Sequence, residues 1–256
     1  MGPSEDTSPR AARPGARSLL RFLWKDLRLE KPWRYKAPFL LTALYFQAAR
    51  GAFDPSLTLT ALGASIGTIA GIAGLAYLSN DFADQDADAR AGKPNAARKL
   101  GARRAAILAV AFLALALVPW ALVLPLTPES GLLLVLEFAL IAAYAFPPLR
   151  LKERGFPGIV ADALYAHALP AVLATMTYFA MARNVPIDSP FLLSLGLWQF
   201  ALGVRNITLH QLLDHENDQR AAVPTWVARN GPLATERWLR RVFVPLELCG
   251  FAGFLW

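Results

Sequence analysis

Long apolar stretches alternate with short polar connections along the whole chain. A bilayer's hydrocarbon core, about 30 Å thick, takes about 20 apolar residues to cross as a helix. Residues 57–79, 105–126, 131–149, 158–181 and 189–213 meet that length. Residues 37–49 are shorter, covering about 20 Å at about 1.5 Å per residue, and Lys36 and Arg50 extend the span by reaching toward the headgroups. A last apolar run, Val242 to Trp256, begins a further crossing of about 22 Å. The pattern predicts an all-α, multi-span transmembrane helix bundle with about seven membrane helices, the last incomplete.

The segment before the first run has a different period. In residues 17–36, Leu20, Leu23, Trp24 and Leu27 share one helical face and Arg21, Lys25 and Arg28 another. This predicts an amphipathic helix in the headgroup layer. Residues 1–16, polar and rich in Pro and Arg, read as a disordered tail without the apolar core of a cleavable signal. Gly63, Gly67 and Gly71 recur every four residues, a spacing that lets helices approach closely in lipid. Pro119, Pro125, Pro170 and Pro245 predict helix bends.

Composition agrees with a membrane protein: 55% of residues are hydrophobic and the mean hydropathy is +0.35. A single cysteine, Cys249, excludes a disulfide framework and a thiolate metal cluster. The net charge of +7 reflects topology, not a nucleic-acid partner. Nine Lys and Arg precede residue 37, six lie in 81–104, three in 150–157 and five in 214–241. Arg50 and Arg183 alone fall in the opposite connections, and Arg205 lies within a span. This asymmetry predicts a multi-pass protein of the cytoplasmic (inner) membrane whose basic connections face the cytoplasm.

Two of those connections are also acidic. Asp81, Asp84, Asp86 and Asp88 crowd the end of the second apolar run in "NDFADQDAD". Taken as a continuing helix, Asp81, Asp84 and Asp88 share a face with Asn80, and Asp86 falls away from it. Carboxylates that close cannot all stay ionised unaided, and a divalent cation removes the conflict. A donor set of oxygens alone favours Mg²⁺, which readily shares its shell with phosphate. In "DHEND", at the end of the 189–213 run, Asp214 and Asp218 are four apart and emerge on the same membrane face. Arg90, Lys93, Arg98, Lys99, Arg150, Lys152, Arg154 and Arg220 surround the two clusters in sequence. Carboxylates, divalent metal and cations together suit a diphosphate. His210, one turn before Asp214, reads as a packing or hydrogen-bonding residue. Arg205, a cation inside a span, requires an acid or a polar cavity.

These motifs resemble those of the UbiA-type intramembrane prenyltransferases. "NDFADQDAD" matches the family's NDxxDxxxD signature through Asn80, Asp81, Asp84 and Asp88, and "DHEND" its DxxxD signature through Asp214 and Asp218. "YAFPPLRLKERG" is similar to its Tyr-x-x-Pro-Pro-x-Arg-x-Lys connection and supplies Tyr144, Arg150 and Lys152. The resemblance covers roughly residues 20–256. It implies a helical bundle around a central cavity, with residues 37–256 as the transmembrane prenyltransferase domain. Family members usually have nine membrane helices, so the chain reads as truncated at its C-terminus.

The implied reaction is Mg²⁺-dependent transfer of a prenyl group from an isoprenoid diphosphate to a lipophilic acceptor within the bilayer. Two Mg²⁺ ions would be held by Asp81, Asp84 and Asp88 on one side and by Asp214 and Asp218 on the other. Asn80, Arg90, Lys93, Arg98, Tyr144, Arg150, Lys152 and Arg205 are the substrate-binding candidates. Three alternatives stay open: cyclisation of the prenyl diphosphate by the same ionisation, an inactive truncated homologue, and a divalent-cation transporter. The last requires acids in mid-membrane, where the spans offer Glu137 and Asp162.

Overall fold

The computed structural model describes residues 21–30, 54–90, 92–182, 188–220 and 223–256, with six isolated positions between 38 and 49. The predicted tail 1–16 and most of the predicted crossing 37–49 lie outside the described residues. Among the described residues the chain is all-helical, without strands.

Helix α1, Pro55–Ala83, is started by Asp54, whose side chain accepts the Leu57 N–H, with Pro55 in the first turn. Two short helices follow, α2 (Gln85–Arg90) and α3 (Ala96–Leu100), then α4 (Ala102–Leu122) and α5 (Pro128–Ala145). Thr127 and Ser130 form a reciprocal cap at the start of α5. Helix α6 runs through Phe156–Met181. Helix α7 spans Ser189–Leu213, and its end repeats the earlier arrangement, with short helices α8 (His215–Arg220) and α9 (Trp226–Asn230). Helices α10 (Pro232–Trp238) and α11 (Val244–Leu255) close the order.

Four of these helices, α1, α4, α5 and α6, are long and apolar enough to cross a membrane. α7 is as long, at 25 residues, but carries Gln199, Arg205, Asn206, His210 and Gln211. α4 exposes Ile107, Val110, Leu117 and Leu122, and α5 exposes Leu132 and Val135. Helices that are apolar all round and yet exposed fit a lipid surround.

The prolines divide by context. Pro119 lies inside α4, whereas Pro125 falls in the connection after it, so the bend expected there is a loop. Pro170 and Pro245 each follow a widened helical turn, Leu164–Ala168 and Leu239–Phe243. Such a turn absorbs the hydrogen bond that a proline ring removes.

Small residues set the closest helix pairs. A side chain at Gly71 would collide with the α4 backbone at Phe112 and Ala116. The same pair is tied by Thr68 Oγ1 donating to the Ala116 carbonyl at 3.3 Å and Trp120 Nε1 donating to Thr68 Oγ1 at 3.2 Å. The expected three-glycine stripe is narrower than its spacing implies: Gly67 makes ordinary contact with Pro119, and Gly63 faces open space. α11 lies along α7, with Gly250 pressed on the backbone at Trp198.

The described part of the predicted amphipathic helix, residues 21–30, is a strap packed on the bundle. Its helical turn, Phe22–Asp26, ends at Leu27, and Leu27 is completely buried with Leu78, Ala96, Ala97, Ala105 and Phe112. Trp24, expected on the same apolar face, is exposed.

Candidate functional site at the ends of two long helices

The same local architecture occurs twice, each position 130 residues after its counterpart: Asp84 and Asp214, Asp88 and Asp218, Asn95 and Thr225, Gly101 and Gly231. α1 ends at Asp84 and α7 at Asp214, both with φ near −100° and ψ near 0° (−104° and 6°; −92° and 2°). The Asp88 N–H then donates to the Asp84 carbonyl at 2.8 Å, and the Asp218 N–H to the Asp214 carbonyl at 2.9 Å. Asn95 and Thr225 cap α3 and α9 and also reach back to the preceding motif. Asn95 Nδ2 donates to Asp88 Oδ2 at 2.7 Å, and Thr225 Oγ1 to Asp218 Oδ2 at 3.2 Å. Gly101 (φ 74°) and Gly231 (φ 79°) end these short helices in the left-handed region that glycine tolerates. The repeat is visible in the sequence as Asp-x3-Asp-x-Arg-x3-Pro-Asn/Thr-x5-Gly, a signal the motif reading did not use.

The uninterrupted helix expected through Asp81, Asp84 and Asp88 is therefore broken at Asp84, and the three carboxylates have different surroundings. Asp84 Oδ1 and Oδ2 each accept from Lys152 Nζ at 2.6 Å. Arg150 Nη2 donates to Asp84 Oδ1 at 3.0 Å, and its Nη1 to the Ala83 carbonyl at 3.3 Å. Arg150 sits in the left-handed region (φ 40°) in a turn that contains a cis Pro147–Pro148 peptide, an uncommon conformation for a residue with a side chain. Asp88 faces Asn95. Asp81, buried, pairs with Arg28 of the strap and accepts the Ala96 N–H at 2.9 Å. Asp86 is exposed. Asn80, one turn before Asp84, holds a buried Oδ1 that has no hydrogen-bond partner among the described residues.

Three connections meet at this end of the bundle. The 146–155 turn reaches the first motif through Arg150 and Lys152, and Arg229 Nη2 donates to the Glu153 carbonyl at 3.0 Å. The charge of Lys93 acts on Asp218. Tyr144 lies in the last turn of α5, at the end of the helix from which the 146–155 turn departs. Tyr165 packs edge-on against Tyr144 with centroids 5.4 Å apart and donates to Asp162 at 2.9 Å. Of these, Arg28, Asn95, Thr225 and Tyr165 were not singled out from sequence.

Electrostatics outside the spans follow from burial. Burial pushes the Lys152 ammonium below its ordinary value, opposed by the Asp84 carboxylate. Burial raises the Asp218 carboxyl above the usual range, opposed by the Thr225 hydroxyl and by Lys93 and assisted by Asp214. A bound divalent cation would invert that balance by favouring the ionised carboxyl.

The other candidates lie further out. Arg90 is exposed at the end of α2, and Arg98, also exposed, turns its Nη2 to the Lys93 carbonyl at 3.4 Å. His210 Nδ1 is 3.8 Å from Asp214 Oδ2, beyond a hydrogen bond. Arg205 has an acid partner, Glu247 of α11, held by two bonds of 2.7 and 2.9 Å. It lies nine residues before Asp214, about 13 Å along the helix. Among the described residues, no three His, Cys, Asp or Glu side chains stand close enough together to hold a metal by themselves.

The fold and the motifs both have known counterparts. Solved structures of a UbiA homologue from Archaeoglobus fulgidus share the architecture at 20% sequence identity. The form bound to GPP and Mg²⁺ has a TM-score of 0.61, over 90% of this chain and 76% of that one. The form bound to DMAPP and Mg²⁺ scores 0.60 over the same shares, and a form bound to Cd²⁺ scores 0.61, over 90% and 78%. No curated protein matches the chain significantly. The model of the UbiA prenyltransferase family matches residues 37–256, which hold both aspartate motifs and the turn that joins them. With that match and an all-helical bundle that ends in a duplicated aspartate corner, the chain belongs to the UbiA prenyltransferase family.

Proposed function

We propose that the protein transfers a prenyl group from an isoprenoid diphosphate to a lipophilic acceptor, with Mg²⁺, at the cytoplasmic face of the inner membrane. The observation that carries this reading is the duplicated aspartate corner at the ends of α1 and α7, with Lys152 and Arg150 of the 146–155 turn held against Asp84. The homologue structures bound to GPP or DMAPP and Mg²⁺ support the substrate class and the metal.

The donor set fits Mg²⁺. Every candidate is an oxygen, and Asn80 Oδ1 is buried without a partner among the described residues, which an uncharged ligand position would explain. Mg²⁺ takes one or two carboxylates and completes its shell with phosphate and water, so the absence of a three-carboxylate cluster among the described residues suits it. Asn80, Asp84 and Asp88 would hold one ion and Asp214 and Asp218 a second. Mg²⁺ bound there would neutralise the diphosphate as a leaving group.

The remaining work falls to the chain itself. Lys152 and Arg150 are placed to exchange their bonds with Asp84 for bonds to phosphate oxygens, where charge accumulates as the allylic C–O bond breaks. The bonding electrons leave with the diphosphate, and the rings of Tyr144 and Tyr165, packed together at this end of the bundle, would attract the positive charge of the allylic cation. The acceptor's nucleophilic atom then bonds to the allylic carbon and loses its proton. The surrounding apolar helices exclude water, which would otherwise capture the cation. Arg205, paired with Glu247 through Nε and Nη2, is assigned to helix packing and not to substrate.

The test is diphosphate release from geranyl or dimethylallyl diphosphate by the protein in lipid nanodiscs, with and without Mg²⁺ and with a panel of lipophilic acceptors. Mg²⁺-dependent release coupled to a prenylated product supports transfer. A cyclic product without any acceptor would replace transfer by cyclisation. No release under any condition would overturn both.

A further inference from the structure

The duplicated corner separates what the metal sites require from what only the first corner has. Asp81, three residues before the break at Asp84, corresponds at the 130-residue shift to Gln211. Both are buried near the end of their long helix. Both accept a backbone N–H from the first turn of the second short helix that follows, α3 or α9: Asp81 Oδ2 from Ala96 at 2.9 Å, and Gln211 Oε1 from Val227 at 3.3 Å. The second corner does this with a neutral side chain. The task common to the two positions is therefore to hold the returning segment, which needs an acceptor and no charge.

The charge of Asp81 has its own partner. Arg28, with φ 57°, pairs through Nη2 with Asp81 Oδ1, and its guanidinium lies 5.5 Å from the Tyr77 ring centroid. Both carboxylate oxygens of Asp81 are thus engaged. The strap is fixed at two further points, by Leu27 in the core and by Lys99 Nζ against Asp26 Oδ1 at 2.5 Å. Behind Asp81, the fully buried Asn95 donates Nδ2 to the Asp81 carbonyl at 2.6 Å and to Asp88 Oδ2 at 2.7 Å. A chain of contacts therefore runs from Arg28 through Asp81 and the 95–96 backbone to Asp88.

We propose that Asp81 is a positioning residue and not a metal ligand. Clasped by Arg28, it docks the N-terminal strap and fixes the Asn95 segment that orients Asp88 for the metal. This inference rests on the proposed function for its catalytic consequence, while the clasp itself is independent of it.

Two readouts separate the parts. Mn²⁺ binding, followed by electron paramagnetic resonance in the presence of geranyl diphosphate, reports the metal site. Chymotrypsin cleavage within residues 21–30 of the protein in nanodiscs, after Phe22, Leu23, Trp24 or Leu27, reports the strap. Asp81→Asn retains Mn²⁺ affinity within about threefold of the parent, whereas Asp84→Asn and Asp88→Asn lose about tenfold or more. Asp81→Asn and Arg28→Gln both speed cleavage of the strap and lower kcat by roughly tenfold with KM for the prenyl diphosphate little changed. The double variant is no worse than either single one, as for two ends of one interaction. Arg28→Lys, which keeps the charge, restores most of kcat. Mn²⁺ loss in Asp81→Asn as large as in Asp84→Asn overturns the assignment. Unchanged strap cleavage in both Asp81→Asn and Arg28→Gln overturns the clasp; Arg28, on the partly exposed strap, keeps this arm informative if Asp81→Asn misfolds. If Asp84→Asn and Asp88→Asn leave Mn²⁺ binding intact, the proposed function fails, and the strap readout still decides the clasp.

Discussion

Lys152 Nζ sits 2.6 Å from both carboxylate oxygens of Asp84, joining residues 68 apart in the chain. The contact brings the basic turn after α5 onto the first aspartate motif. It also gives a largely buried ammonium a carboxylate partner, which in the proposed reaction it exchanges for a phosphate group. Lys152→Met should therefore remove a phosphate contact and leave the Asp84 charge unbalanced. We expect kcat/KM for the prenyl diphosphate to fall about 10- to 100-fold, the range of one charge-assisted contact. Steady-state kinetics check this, and an unchanged kcat/KM contradicts the role given to Lys152.

Asn80 Oδ1 is a buried acceptor without a hydrogen-bond partner among the described residues. If it is the neutral ligand proposed above, Asn80→Ala removes it without altering charge, so the defect should shrink as Mg²⁺ is raised. The Mg²⁺ concentration for half-maximal turnover is expected to rise about tenfold, a typical loss when a metal's immediate support is removed. Chelation with EDTA should abolish turnover of the parent protein, and added Mg²⁺ should restore it.

Arg205 and Glu247 test the opposite assignment. Removing one partner of a largely buried ion pair leaves the other uncompensated, and Arg205→Ala is expected to cost about 1–3 kcal/mol. The joint change Arg205→Met with Glu247→Leu should recover most of that loss. Thermal unfolding in detergent measures both, and Mn²⁺ binding should stay at the parent level in each folded variant. A selective loss of substrate affinity without destabilisation would return Arg205 to the site.

Gly71 and Gly63 share one sequence spacing and should behave differently. Gly71→Val forces atoms into the α4 backbone at Phe112 and Ala116, and overpacking of this kind costs about 1–3 kcal/mol. Gly63→Ala faces open space and should be neutral or stabilising by about 0.5–1 kcal/mol through helix propensity. Equal effects in thermal unfolding would contradict the helix pairing described above.

Much of the protein was legible in one dimension. Apolar length and the distribution of Lys and Arg give an all-helical membrane bundle, because lipid leaves every backbone polar group to be satisfied within a helix. The NDxxDxxxD and DxxxD spacings mark both corners of the site, because residues four apart in a helix meet on one face. The same regularity misleads past Asp84, where it assumes an unbroken helix, and at Trp24, where it gives the whole apolar face one environment. Only the tertiary structure decides which carboxylate faces which cation. Lys152 meets Asp84, Arg28 meets Asp81, and Arg205 meets Glu247 across separations that no local pattern encodes. Such pairing depends on where the chain returns after each crossing, and that is set by helix packing at positions such as Gly71 and Gly250, not by the spacing of charges along the sequence.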